Sequence, residues 1–242
     1  MLGEWHSGKL IQIIQETSTT KRFWFELNTT TDFPFKAGQF MTFDLPIHER
    51  RNKRWRSYSI ASAPDGGNVL EFVIVSMEGG AGTRYLFEEA DIGTVLPMRG
   101  PQGHFILPDT LDMQTELCFI CTGTGIAPFR SMLLDIKNRQ CPHPPIHLIF
   151  GTRYRENILY CNEMKSWQDN LHLQCHIALS RELSPEWSGH KGYVHSLYEQ
   201  LYANVRPANF YLCGWQDMLD EARTRLQMMG YEKKHIFYES YG

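Results

Sequence analysis

The chain has 242 residues, 42% of them hydrophobic and 21% charged, enough for two modest domains that each bury a core. With 24 basic against 27 acidic side chains the net charge is -3, which excludes a global pull toward nucleic acid or an anionic membrane surface. No run reaches the ~18 apolar residues of a membrane span, and the opening MLGEWHSGKLIQIIQE alternates instead of forming the apolar block of a signal peptide, so a cytoplasmic protein is expected.

Up to about residue 109 the apolar residues recur in short alternating runs: KLIQIIQE, KRFWFEL, QFMTFDL, RSYSIAS and VLEFVIV, punctuated by Gly, Pro, Asn and Asp. Such runs at close spacing predict a small antiparallel β-barrel. One helical segment, GTRYLFEEA, interrupts them. From residue 112 onward apolar strands alternate with amphipathic stretches: ELCFICTG and APFRSMLLDIKN, IHLIFGTR and LYCNEMKSWQDN, LHLQCHIALS and VHSLYEQLYA, NFYLCGW and DMLDEARTRLQMM, then HIFYESYG. Strand–helix alternation predicts a parallel sheet with covering helices. The division falls near LPDTLDMQ, giving an N-terminal barrel over 1–110 and a C-terminal α/β domain over 111–242.

The six cysteines do not form a disulfide framework in a chain of this size. Cys118 and Cys121 have C-x-x-C spacing, but no second pair completes a metal site. Two small apolar side chains on opposite faces of a buried strand are expected there. The iron–sulfur spacing C-x4-C-x2-C is absent.

Two constellations carry chemistry. In CTGTGIAPFRSML a strand runs into Gly123, Thr124 and Gly125, and Pro128 sits where a helix begins. Glycines let a backbone approach a phosphate closely, and the N–H groups at a helix start receive it. The dinucleotide fingerprint has a third glycine where this chain has Pro128, so a plain strand-to-helix turn is the competing reading. The ends of the next two strands offer Arg153, and then Ser180 beside Arg181, in place of an acid for a ribose. A hydroxyl next to a guanidinium suits a 2′-phosphate, the alternative being surface arginines without a ligand.

In this order the motifs resemble the ferredoxin–NADP reductase family over essentially the whole chain. RSYS, Arg56 to Ser59, is similar to that family's flavin-binding motif. GGAGTRYL resembles its second flavin-phosphate segment, with Gly80, Gly82 and Thr83. GPQGHF resembles the turn closing the barrel, GTGIAPFRSM the nucleotide-pyrophosphate loop, and YLCGWQDM the Cys213–Gly214 pair near the nicotinamide. ESYG resembles the plant-type ending, in which an aromatic covers the flavin; here that is Tyr241, followed by Gly242.

The resemblance implies a hydride transfer from NADPH to FAD, with NADH as the alternative donor and FMN the lesser alternative flavin. Arg56 would neutralise the flavin pyrophosphate and Tyr58 would lie against the isoalloxazine. Ser59 would offer a hydroxyl near the hydride-accepting nitrogen, with Ser57 beside it in the motif. Cys213, Glu239 and Tyr241 would act near the nicotinamide, and Ser180, Arg181, Lys191 and Tyr193 would hold the adenosine phosphate. With neither iron–sulfur ligands nor a haem domain, the electrons would leave to a separate acceptor, a ferredoxin or flavodoxin. HERRNKRWR, with Arg50, Arg51, Lys53, Arg54 and Arg56, would steer such an acidic carrier, unless it is only a solvated loop. The competing functions are a reductase component of an oxygenase system, a free flavin or iron reductase, and a non-turnover flavin subunit.

Overall fold

The computed structural model describes residues 3–29, 32–171 and 173–241; Gly242 lies outside the described residues. The chain divides into two compact units, Met1–Leu107 with Ala127–Asp135, and Pro108–Ile126 with Ile136–Gly242.

The first unit is a six-stranded antiparallel sheet of β1 (Glu4–Thr17), β2 (Thr20–Leu27), β3 (Phe40–Asp44), β4 (Trp55–Ser59), β5 (Val69–Val75) and β6 (Val95–Gln102), in the order β4-β3-β6-β1-β2-β5. Alternation delivers the core. Phe25, Phe43 and Phe72 meet edge-to-face with centroids 5.0–6.1 Å apart, the arrangement their ring quadrupoles favour. The sheet curls until its two edges approach, and Ala61 N–H, just past β4, donates to Glu71 O of β5 at 2.8 Å. After β5 comes α1 (Ala81–Arg84), continued by a π turn over Tyr85–Glu89 whose Leu86 is buried.

In this unit the strand that pattern reading missed is β6, VLPMRGPQ, because two prolines argue against a central strand. Pro97 precedes Met98, the first β6 residue paired with β3, so its missing N–H is not needed on that side. Pro101 falls in a bulge where two residues of β6, Gly100 and Pro101, face one of β3, Met41.

The second unit is a parallel sheet of β7 (Glu116–Thr122), β8 (Ile146–Thr152), β9 (Gln174–Leu179), β10 (His190–Lys191), β11 (Ala208–Trp215) and β12 (Ile236–Tyr241), in the order β10-β9-β8-β7-β11-β12. Its helices are α2 (Ile126–Arg139), α3 (Cys161–Leu171), α4 (His195–Leu201) and α5 (Gln216–Met228). Residues 117–121 and 146–151 are buried without interruption, as expected of strands covered on both faces. Cys118 and Cys121 are buried free thiols in β7, both pushed up in pKa by burial. No group of His, Cys, Asp or Glu among the described residues could hold a metal ion, and no helix is long and apolar enough to cross a membrane.

Within α2, Ala127–Asp135 group with the first unit, and Ile126 and the end of the helix with the second. The cause is side-chain chemistry on that stretch. Phe129 packs on Phe105 at 5.7 Å, and Arg130 and Ser131 bond to residues 61, 62 and 71.

Candidate cofactor and nucleotide sites

In the first unit β4 and α1 build one site. Register pairs Phe43 with Arg56 and Met41 with Tyr58, which keeps Arg56 and Tyr58 on the side of the apolar core. Tyr58 packs edge-on against Phe43 at 5.2 Å, and burial pushes its phenol up despite the nearby Arg56 charge. Arg56 is exposed, and its Nη1 donates to Trp55 O at 2.7 Å and Lys53 O at 3.2 Å. No carboxylate among the described residues pairs with it, so a fixed guanidinium is left to face an anion.

The stem of Arg56 lies on Gly82: a Cβ there would sit 3.0 Å from Arg56 Cγ and 3.2 Å from Leu45 Cδ1. A side chain at 82 would press on this arginine, and the bare backbone beneath it is the start of a helix. The first intrahelical bond runs from Arg84 N–H to Gly80 O, so the N–H groups of residues 81–83 have no intrahelical acceptor. The Thr83 hydroxyl is spent inside the turn, accepting from Met77 N–H at 3.1 Å and donating to Gly80 O at 3.1 Å. A Cβ at Gly80 would lie 2.7 Å from that hydroxyl. A flavin diphosphate fits this cradle through Arg56 and the backbone of Gly82, with Thr83 shaping the turn. Ser57 faces away, its hydroxyl 3.1 Å from Thr42 Oγ1, which also takes a bond from Gln102 Nε2. Ser59 is buried at the end of β4.

In the second unit the strand order reverses between β7 and β11, because β8 lies on one side of β7 and β11 on the other. Such a switch point, beyond the carboxyl ends of parallel strands, is where α/β sheets bind ligands. Both glycine motifs converge there. Gly123 has φ 53° with open space where a Cβ would go. Gly214 has φ 145°, and Trp215 N–H donates to Thr122 Oγ1 at 3.3 Å. Pro128 sits in the first turn of α2, where its missing N–H costs nothing. A nucleotide pyrophosphate fits the open loop Gly123–Gly125 at the start of α2.

Cys213, Glu239 and Tyr241 are brought together. Cys213 is fully buried, in register with Cys121 of β7 and Glu239 of β12. Burial and the Glu239 charge hold its thiol well above the ordinary range, against the opposing influence of the nearby Tyr241 hydroxyl. Tyr241 pairs in register with Trp215 at the end of β12.

The remaining nucleotide candidates line the carboxyl ends of three neighbouring strands. Arg181 N–H donates to Arg153 O at 2.9 Å, and Ser180 Oγ donates to Thr152 O at 3.3 Å. Lys191 sits in register with Leu179 and donates to Ser184 O at 3.0 Å. Arg153, Arg181, Lys191 and Tyr193 are exposed. The nearby Glu182 accepts from Arg155 N–H at 3.0 Å and Ser184 N–H at 2.9 Å, bonds that hold its carboxyl below the usual range. Sequence reading missed Glu71 and Arg130, each a lone charge in an apolar run, and that isolation was the available signal.

The oxidoreductase FAD-binding domain family matches residues 7–106, and the oxidoreductase NAD-binding domain family matches residues 119–224. The chain is similar to ferredoxin–NADP reductase B of Sorangium cellulosum, 31% identical over 245 residues, covering 97% of this chain and 96% of that one. It is also 27% identical to the anthranilate 1,2-dioxygenase electron transfer component of Acinetobacter baylyi, matching 86% of this chain but 58% of that relative's length. Its fold resembles a ferredoxin–NADP reductase of Neisseria gonorrhoeae, solved with FAD and NADP, with a TM-score of 0.81, 23% identity and 98% of both chains covered. The chain belongs to the ferredoxin–NADP reductase family of oxidoreductases, with an FAD-binding and an NAD-binding domain.

Proposed function

We propose that the protein takes a hydride from NADPH onto FAD and passes the electrons to a separate acidic carrier, a ferredoxin or flavodoxin. The flavin supplies the conversion of a two-electron donation into single-electron steps; the protein supplies binding and charge. Arg56 and the start of α1 would receive the flavin diphosphate, and the loop Gly123–Gly125 the nucleotide pyrophosphate. Cys213, kept a neutral thiol by burial and Glu239, would present a small uncharged surface to the nicotinamide. Tyr241 would shield the flavin until nucleotide binds.

The observation that carries the donor choice is the row of Arg153, Ser180 with Arg181, and Lys191 on three adjacent strand ends. Neither arginine has a carboxylate partner among the described residues. Exposed cations with a hydroxyl between them suit a 2′-phosphate. Steady-state kinetics with both nucleotides test this. Arg181→Ala should lower kcat/KM for NADPH roughly tenfold to a hundredfold, the equivalent of one charge-assisted hydrogen bond, and leave NADH unchanged. A wild-type preference for NADH, or an equal loss with both, would overturn it.

The second reading, an NADH-dependent reductase component of an oxygenase system, is favoured by the similarity to the Acinetobacter electron transfer component. The same comparison of nucleotides separates the two.

A further inference from the structure

The middle of α2 carries a polar anchor that neither candidate site uses. Arg130, 7% exposed, donates through Nη1 to Glu71 Oε2 at 2.8 Å and to Ala61 O at 2.7 Å. Next to it Ser131, fully buried, donates to Ser62 O at 2.7 Å. Glu71 is 3% exposed and takes a second ion pair from Arg22 Nε at 2.6 Å, while its own N–H donates to Ser62 Oγ at 3.2 Å. Four groups of α2 and β5 thus converge on Ala61 and Ser62.

Two features of this cluster are informative. Ala61 and Ser62 continue directly from the flavin motif, which ends at Ser59. And α2 itself begins one residue after the loop Gly123–Gly125. A buried ion pair is a poor way to gain stability, since apolar residues of like volume often serve as well. What it supplies is direction, because a guanidinium that must satisfy both a carboxylate and a carbonyl tolerates little sliding.

We propose that Arg130 and Glu71 are positioning residues for hydride transfer: they hold α2, whose first turn follows the nucleotide loop, against the segment that continues the flavin motif. Neither is assigned contact with a ligand. The inference rests on the nucleotide-to-flavin reading above and adds to it two residues acting through helix placement. Because near-attack geometry is steep in distance, a shift of about 1 Å is worth roughly a hundredfold in rate.

The test uses the flavin-loaded full chain under anaerobic conditions, following loss of oxidised-flavin absorbance after mixing with NADPH. Arg130→Met should keep its flavin and be reduced normally by dithionite, yet transfer hydride at saturating NADPH roughly tenfold or more slowly. Arg130→Lys, which keeps the charge and can reach one acceptor, should recover part of that rate. If Arg130→Met loses its flavin, Ser131→Ala, which removes only the bond to Ser62, is read in the same way. A wild-type hydride rate in the variant that holds flavin, with or without a lowered melting temperature, would reduce the anchor to a structural contact and overturn the proposal. Failure of the wild-type chain to accept hydride from either nucleotide would instead sink the underlying reading.

Discussion

The sharpest test of the nucleotide loop is the replacement Gly125→Ala. Gly125 has φ -60° and ψ -6°, a conformation open to any residue, so the obstacle is space and not backbone strain. An added Cβ would lie 2.3 Å from Cys213 O, 2.6 Å from Cys213 C and 2.9 Å from Gly214 Cα. All three are main-chain atoms of β11, a strand hydrogen-bonded on both sides by β7 and β12. No flexible side chain can give way. Restoring ordinary contact, about 3.5 Å, requires the loop and strand end to part by roughly 1 Å. Overpacking of this kind costs about 1–3 kcal/mol, which for a chain of this size lowers Tm by about 3–10 °C. The displaced loop carries the N–H groups that would receive the pyrophosphate, so the KM for NADPH should rise as well. Differential scanning calorimetry without nucleotide, together with steady-state kinetics, reads both effects. A variant with wild-type Tm and KM would refute the close approach of the β7 loop to β11, and with it the argument for this loop as the nucleotide site.

Four further outcomes follow from the same geometry. Arg56→Met removes the charge that would face the flavin diphosphate, about 1.5–3 kcal/mol; the protein should be purified largely colourless and regain colour only at high added FAD, and full flavin content would contradict that role. Of the basic loop, Arg54 and Arg51 reach the buried Asp44 at 2.7 and 3.4 Å, so Arg54→Ser should cost about 1–3 kcal/mol in a urea titration. The double change Arg50→Ser with Lys53→Ser should leave stability within about 0.5 kcal/mol while slowing reduction of an acidic carrier and flattening its salt dependence; no kinetic change would remove the steering role. Finally, burial and His147 push His176 down to about 4, and burial also lowers His147. The unfolded chain therefore binds more protons below about pH 6.5, and stability should fall as pH drops from there toward 4. His176→Asn should flatten that slope in urea midpoints measured from pH 7.5 to 5, and an unchanged slope would assign it to other groups.

The architecture was legible because each half has its own pattern, alternating strands in the first and unbroken apolar strands between amphipathic stretches in the second. KRFWFEL alternates and yields the half-buried β2, whereas ELCFICT is apolar without a break and yields β7, covered on both faces. The reading failed where local chemistry and tertiary demand part company. VLPMRGPQ looks unlike a strand, yet β6 is central because its two prolines fall outside the regular pairing with β3. Within the RSYS motif alternation does hold: period two puts Ser57 on the face opposite Arg56 and Tyr58, toward Thr42. The four basic residues ahead of Arg56 looked equivalent, and only the structure separates the two that neutralise Asp44 from Arg50 and Lys53.

A sequence match to a glycine motif does not say what each glycine is for, and here the answers differ. Gly82 lets the Arg56 stem lie against the helix start that would take the flavin diphosphate, while Gly125 lets the loop approach the carbonyl of Cys213. Gly214 needs both freedoms, since its φ is 145° and a Cβ would also meet Thr122 Oγ1 at 2.3 Å. The Cys213–Gly214 pair is therefore as much a packing solution at the switch point as a chemical one. It brings β11 close to the loop after β7, and the same burial holds the thiol protonated. A group so held neither attacks nor donates a proton readily. Its contribution to the proposed hydride transfer would then be one of shape and neutrality, which Cys213→Ser would alter by exchanging a soft, weakly polar surface for a hydroxyl that demands a buried partner.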